Sequence, residues 1–247
     1  MCGRYAAAKD TDGLVEQFAI EEVVESAPRA NYNVAPTAMV PMVIRSADDG
    51  RRQLRQARWG LVPPWSKDLK LGSRMINARW ESLSDKPAFR VPFIRRRAIL
   101  PADGYFEWLR MAASGAKPVK QPYFIHAASG ESLAMAGLFD FWRPAPDAVA
   151  VVSATVITTA ATGPLAQLHD RMPLLLPASL FQQWLDRDAP FDPGLLGEGT
   201  MGTIRLAAHP VGLTVNAVVN NGPQLIDPVV VANGLDLSGL DPSECGL

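Results

Sequence analysis

"RRAILPADGYFEWL", residues 96–109, decides the fold class because it reads as extended chain. It is rich in Ile, Leu, Tyr, Phe and Trp. From Pro101 onward, alternation sets Phe106 and Trp108 on one face and Tyr105 and Glu107 on the other. Segments 122–127, 133–142 and 149–159 are further strand candidates, enriched in Val, Ile, Phe, Tyr and Trp. Upstream, "ANYNVAPTAMVPMVIRS" (30–46) reads as a loop leading into a strand, and "RRQLRQARWGLVPPW" (51–65) as its hairpin partner ending in a Pro-rich turn. Helical spacing is found at "DTDGLVEQFAIEEVVE" (10–25), behind a capping Asp/Thr, and at "PASLFQQWLDR" (177–187), with Leu180, Trp184 and Leu185 on one face. Strands outnumber helices and do not alternate with them. The expectation is therefore an α+β protein with mainly antiparallel sheets, not a doubly wound parallel sheet.

The chain has 247 residues and is 48% apolar, enough for a substantial core in one large domain or two small ones. There is no repeat or low-complexity linker, "PAPD" (144–147) reads as a loop, and the less patterned 229–247 as a C-terminal tail. Without a long apolar run or a charged-then-apolar leader, the expectation is a soluble protein that is not exported, has no membrane partner and is cytoplasmic. The only cysteines are Cys2 and Cys245, so a disulfide framework is not expected. With three histidines and no CxxC or HExxH motif, neither a metal nor another cofactor is expected. Charge is uneven: residues 26–110 hold 16 Lys/Arg against 7 Asp/Glu, and residues from 111 onward hold 6 against 12. That split suits a one-sided polyanion-binding surface, and equally a set of arginines, such as Arg51, Arg52 and Arg95 to Arg97, that only solvate exposed faces.

"MCGRY" (1–5) carries the most distinctive chemistry. Loss of Met1 would leave Cys2 as a 1,2-aminothiol, with an amine titrating at about 7.7–8.0 and a thiol at about 8.5. Such a pair can form an imine with an aldehyde and close the thiol onto the same carbon as a thiazolidine. It can also attack an amide as an N-terminal nucleophile. A cysteine that merely follows the initiator is the plain alternative.

Four polar stretches interrupt apolar surroundings. "MINARWES" (75–82) puts Asn77 and Arg79 on the same side of an extended segment. "PADGYFEWL" (101–109) puts Glu107 on an aromatic-rich strand, where desolvation would raise its pKa and suit it to proton transfer. "LHDRMPLLL" (168–176) sets His169 and Arg171 just before an apolar strand, and "NYNVAPT" (31–37) supplies amides and a stiff turn. Taken singly, Asn77 could cap a turn, Glu107 could pair with an arginine, and His169 could be a hydrogen-bonded core residue.

Taken together, MCGRY, NYNVAPT, RWGLVPPW, INARWES, RAILPADGYFEW, AGLFDFW, HDRMPLLL and HPVGLTVNAVVNNG, in this order, resemble the SOS response-associated peptidase (SRAP) family. The resemblance runs from Cys2 to about Pro228, implying one domain over 1–228 with a barrel-like core and flanking helices. It implies a sensor of abasic sites in single-stranded DNA that shields the lesion in the DNA damage response by crosslinking to it through Cys2. Asn77 would position the sugar and Cys2, Glu107 would move protons during ring opening and imine formation, and His169 would lie against the opened sugar and its phosphate. Arg4, Arg79 and Arg171 would take phosphates, Asn33 and Pro36 would line the DNA path, and Trp65 and Phe89 would be wedges at a single-strand/double-strand junction. Trp59 and Trp142 are expected in the core.

The same map implies a latent lyase activity through the imine, and it agrees with elementary chemistry. An abasic site is a masked aldehyde whose ring opening needs one proton supplied and another removed, work for a Glu/His pair. A monomer, nucleoid-associated when bound to DNA, is expected. Three other readings stay open: an N-terminal-nucleophile amidohydrolase, since glutamine amidotransferases also begin Met-Cys-Gly; a thiol peptidase whose main work is cutting protein, with self-processing to remove Met1 as a narrower form; and a non-covalent reader of damaged DNA.

Overall fold

The computed structural model describes residues 2–111, 119–196, 203–231, 235 and 240. In chain order the strands and helices are Tyr5–Ala7 (β1), Thr11–Phe18 (α1), Glu22–Val23 (β2), Asn31–Val34 (β3), Met39–Arg45 (β4), Arg52–Trp59 (β5), Asn77–Arg79 (β6), Pro87–Arg95 (α2), Arg97–Ala102 (β7), Gly104–Met111 (β8), Val119–Ala127 (β9), Leu133–Trp142 (β10), Val151–Ala160 (β11), Arg171–Pro173 (β12), Phe181–Leu185 (α3) and Leu206–Pro210 (β13).

One sheet runs β12-β11-β10-β7-β4-β5-β2, and β11 also pairs with β5. That second pairing closes β5, β4, β7, β10 and β11 into a five-stranded barrel. Most pairings are antiparallel, and β5–β11, β6–β11 and β2–β5 are parallel. The other sheet is open, in the order β13-β9-β8-β1-β3. The expected α+β class, mainly antiparallel with a barrel-like core and few helices, is what the chain adopts.

The 96–109 stretch is the hinge between the two sheets. All six residues of β7 are buried in the barrel, and after Asp103 the chain enters the open sheet as β8. Asp103 holds the crossing by accepting the Ala8 N–H at 2.6 Å and the Ser132 hydroxyl at 3.3 Å. Gly104 is required there: a Cβ would sit 2.4 Å from the Phe124 ring and 2.5 Å from the Ile125 carbonyl oxygen.

Both sides of the barrel carry apolar clusters because both are covered. Residues Met42, Trp59, Leu100 and Met135 pack with Tyr5, Tyr105 and Tyr123 of the open sheet. On the other side, Val43, Leu54, Ile99 and Leu138 pack under Leu14, Phe18, Phe181 and Trp184 from α1 and α3. Buried Arg97 ties helix ends to the barrel, donating to the carbonyls of Phe93, Ile94, Trp184, Asp186 and Ala189.

Two expected elements differ. The helix over 10–25 stops at Phe18, because Ala19 turns left-handed (φ 47°) and Glu21, Val24 and Glu25 instead give their N–H groups to the Arg52 and Leu54 carbonyls, with Glu22 and Val23 paired to β5. The loop before 39 contains a strand, β3, because Tyr5 and Ala7 pair with it. Much of the 229–247 segment expected as a tail, including Cys245, lies outside the described residues. Within it, the Leu235 N–H donates to the Tyr123 hydroxyl at 2.8 Å. Among the described residues no helix is long and apolar enough to cross a membrane, and no group of three or more His, Cys, Asp and Glu could hold a metal ion.

Candidate functional site

Strand pairing brings the chain start against Glu107. Tyr5 pairs with Tyr105, and the Phe106 N–H donates to the Arg4 carbonyl at 3.0 Å. Cys2 is fully buried next to this junction. Its carbonyl accepts from Asn77 Nδ2 at 2.7 Å, so Asn77, delivered by β6 along β11, fixes the backbone that carries the thiol. Burial pushes the thiol well above its ordinary range, and the Glu107 carboxylate adds to the effect. At neutral pH the sulfur therefore keeps its proton.

Glu107 is itself buried, on the face of β8 that carries Tyr105 and directly opposite Tyr123 of β9. Desolvation raises its pKa to about 7, which is where a carboxyl group can both give and take a proton. His169 lies in the turn before β12. Its Nδ1 accepts the Arg171 N–H at 2.9 Å, and burial lowers the ring's pKa. That makes the neutral ring with its proton on Nε2 the working tautomer. Asp170 Oδ1 lies 2.7 Å from the same Nδ1, a contact that would need a proton on that nitrogen. We assign the neutral form, because the backbone N–H has no alternative direction while the Asp170 side chain is exposed.

A cavity of about 420 Å³ opens over this group, lined by Arg4, Glu107, Trp108, Arg110, Lys120, His169 and Asn216. Arg4 Nη1 donates to Asn33 Oδ1 at 2.6 Å and to the Val215 carbonyl at 2.9 Å, with its guanidinium 5.9 Å from the Trp108 ring centre. Trp108 in turn donates to Asn216 Oδ1 at 2.7 Å. A second groove, about 510 Å³, adjoins it and is lined by Arg79, Glu81, Ser82, Lys86, Asp170 and Arg171. The turn His169-Asp170-Arg171 divides the two, giving His169 to the first and the next two side chains to the second.

The structure thus brings Arg4, Glu107 and His169 together around one cavity, with Cys2 buried behind it and held by Asn77, and sets Arg79 with Arg171 along the neighbouring groove. Asn33 is buried, its amide spent on the Val215, Ala217 and Asn220 carbonyls, so it shapes the 213–220 loop from beneath. Pro36 is half-buried in the following turn, where Thr37 is left-handed (φ 78°). Trp65 is 62% exposed, on a loop that Trp142 holds by donating to the Ser66 carbonyl at 2.8 Å. Phe89, read as a second wedge, is only 5% exposed and packs in the core with Leu83, Ile99 and Leu138. Its helix shows Val91 and Ile94 to solvent instead.

Sequence reasoning missed Trp108 as a cavity residue, and it missed Arg110, Lys120 and Asn216. Arg110 and Lys120 sit directly opposite each other in the β8–β9 ladder. Like charges at such a position repel unless an anion lies between them. Sequence spacing could not reveal this, because it depends on register. Many basic residues counted earlier are committed elsewhere: Arg96 pairs with Asp140, Arg51 with Glu22, and Arg45 with Asp186.

Residues 1–218 match the family model described as SOS response associated peptidase (SRAP). The chain belongs to the SRAP family. It is 36% identical over 231 residues to the abasic site processing protein YoqW of Bacillus subtilis, covering 92% of this chain and 99% of that one. It is 31% identical to the abasic site processing protein YedK of Escherichia coli, covering 93% and 100%, and 30% identical to chicken HMCES, covering 93% and 78%. Among solved structures, a Bacteroides thetaiotaomicron protein superposes with a TM-score of 0.73 at 21% identity, covering 93% and 100%. That likeness extends the SRAP fold to a distant sequence.

Proposed function

We propose that this SRAP chain captures abasic sites in single-stranded DNA as a covalent thiazolidine on Cys2. The observation that carries the reading is a buried carboxyl poised at about pH 7 beside a buried N-terminal cysteine, in a chain whose relatives are named abasic site processing proteins. Removal of Met1 exposes the Cys2 amine. Glu107 and His169 move protons as the deoxyribose ring opens to its aldehyde. The amine adds to the aldehyde carbon, and loss of one water gives the imine. The sulfur then adds to the imine carbon while its proton passes to nitrogen. Burial sets this order, because it holds the thiol protonated and leaves the amine to attack first.

Arg4, Arg79, Arg110, Lys120 and Arg171 supply a grip on phosphates, and exposed Trp65 suits stacking on a base at a strand junction. No base needs to be read at an abasic site, so contacts to the backbone suffice. The test is incubation of purified protein with an oligonucleotide bearing one abasic site. The expected adduct survives denaturant, has the mass of protein minus Met1 plus DNA minus water, and is missing for Cys2→Ala and for protein that keeps Met1. No adduct from a correctly processed N-terminus would sink the reading and turn attention to glutamine or peptide hydrolysis.

A further inference from the structure

Arg171 is already occupied. Its Nη1 and Nη2 donate to the two oxygens of Glu81 at 2.7 and 2.9 Å, the paired geometry a guanidinium also offers to a phosphate. The two partners differ in placement: the Arg171 side chain is 12% exposed and that of Glu81 52%. Nη2 donates as well to the Thr158 carbonyl at 2.6 Å, so the guanidinium stays anchored to β11 if Glu81 leaves. Glu81 reaches in from the solvent side, off the short turn Trp80–Ser82 that follows β6. Its carboxyl is held below the usual range by the Arg171 bonds, and so is charged at neutral pH. Around it the groove wall carries the cations Arg79 and Lys86.

We propose that Glu81 is a resident stand-in for a DNA phosphate, holding the Arg171 seat until a phosphodiester of the incoming strand displaces it. This rests on the reading of the chain as a DNA-binding protein. Each phosphate that takes the seat must release one carboxylate, so binding there is an exchange of anions with little net gain. Undamaged strands are held weakly and let go, and the covalent step at Cys2 decides which strand stays. A purely structural role for Glu81 makes the opposite demand, since removing a residue that merely props Arg171 would loosen the seat and weaken binding.

The experiment is fluorescence anisotropy of a labelled, undamaged single-stranded oligonucleotide with wild type, Glu81→Gln, Glu81→Ala and, as a control for net charge, Glu16→Gln on the exposed side of α1. The Glu81 variants are expected to bind at least about threefold tighter at low ionic strength, with the advantage shrinking as salt is added, while Glu16→Gln binds as wild type does. In wild type, the Arg171 side-chain Nε–H signal in an NMR titration with the same oligonucleotide is expected to shift, a readout independent of how well any variant folds. Weaker or unchanged binding by the Glu81 variants, a silent Arg171 signal, or no binding by any protein would overturn the proposal. Abasic-site crosslinking is run in parallel: wild type that crosslinks while Glu81→Gln binds no tighter defeats only the stand-in. Tighter Glu81 variants without any crosslink defeat only the covalent reading.

Discussion

The barrel and the open sheet are built to opposite specifications. The barrel closes on itself through the short β5–β11 pairing and packs apolar clusters on both sides. The open sheet pairs β8 with β1 only as far as Tyr5–Tyr105 and Ala6–Gly104. Beyond that point the β8 backbone borders the cavity, and a buried carboxyl, a buried thiol and two opposed cations collect there. Stability is concentrated in one region and strained electrostatics in the other, which is how a protein can hold costly charges in place: the rigid part offsets what the site loses.

Substitutions should separate the two regions, with effects in descending order. Cys2→Ala should abolish the stable adduct while leaving the fold intact. Its N-terminal amine survives, so strand scission by β-elimination from the imine should replace crosslinking, seen as a shorter labelled fragment on a denaturing gel. Trp184→Ala, on the barrel side, empties a fully buried indole that donates to the Ala98 carbonyl at 2.7 Å. It should cost about 3–5 kcal/mol in a urea melt and leave the adduct rate of the remaining folded protein unchanged.

Glu107→Gln should do the reverse. The crosslinking rate should fall about a hundredfold, yet the protein should become more stable above pH 7. The sign follows from linkage: unfolded Glu107 ionises near its ordinary value, whereas the buried carboxyl holds its proton to about 7. Between those two pH values the native state binds more protons, so wild-type stability declines as pH rises. The amide carries no such penalty, and its advantage, of about 3 kcal/mol, should be seen by melts at pH 8 and vanish at pH 4. An advantage over wild type that is the same at pH 4 and pH 8 would mean that Glu107 is not desolvated.

Asn33→Ala should be milder, about 1–3 kcal/mol, and local. Hydrogen exchange should quicken over residues 213–220, whose carbonyls lose their amide partner, with no change in β7 or β10.

Strand pattern, the thiol at position 2 and the desolvated Glu107 were legible in the residues themselves, because each follows from side-chain chemistry or from periodicity over a few neighbours. The extent of α1 was not: its apolar spacing continues past Phe18, and only pairing with β5 draws residues 21–25 into extended chain. Phe89 was misread for a related reason, since an aromatic in a Pro-flanked helix can face either way until α2 is laid on the barrel.

By itself, then, the sequence determined which chemical groups exist and which local shapes the backbone prefers. Tertiary structure decided who faces whom: Arg110 opposite Lys120, Glu81 in the fork of Arg171, Asn33 under the 213–220 loop, Asn77 on the Cys2 carbonyl. The reason is physical. Burial patterns report that a face is covered, but register and sheet closure bring together residues up to 211 positions apart, and no short-range periodicity encodes that meeting.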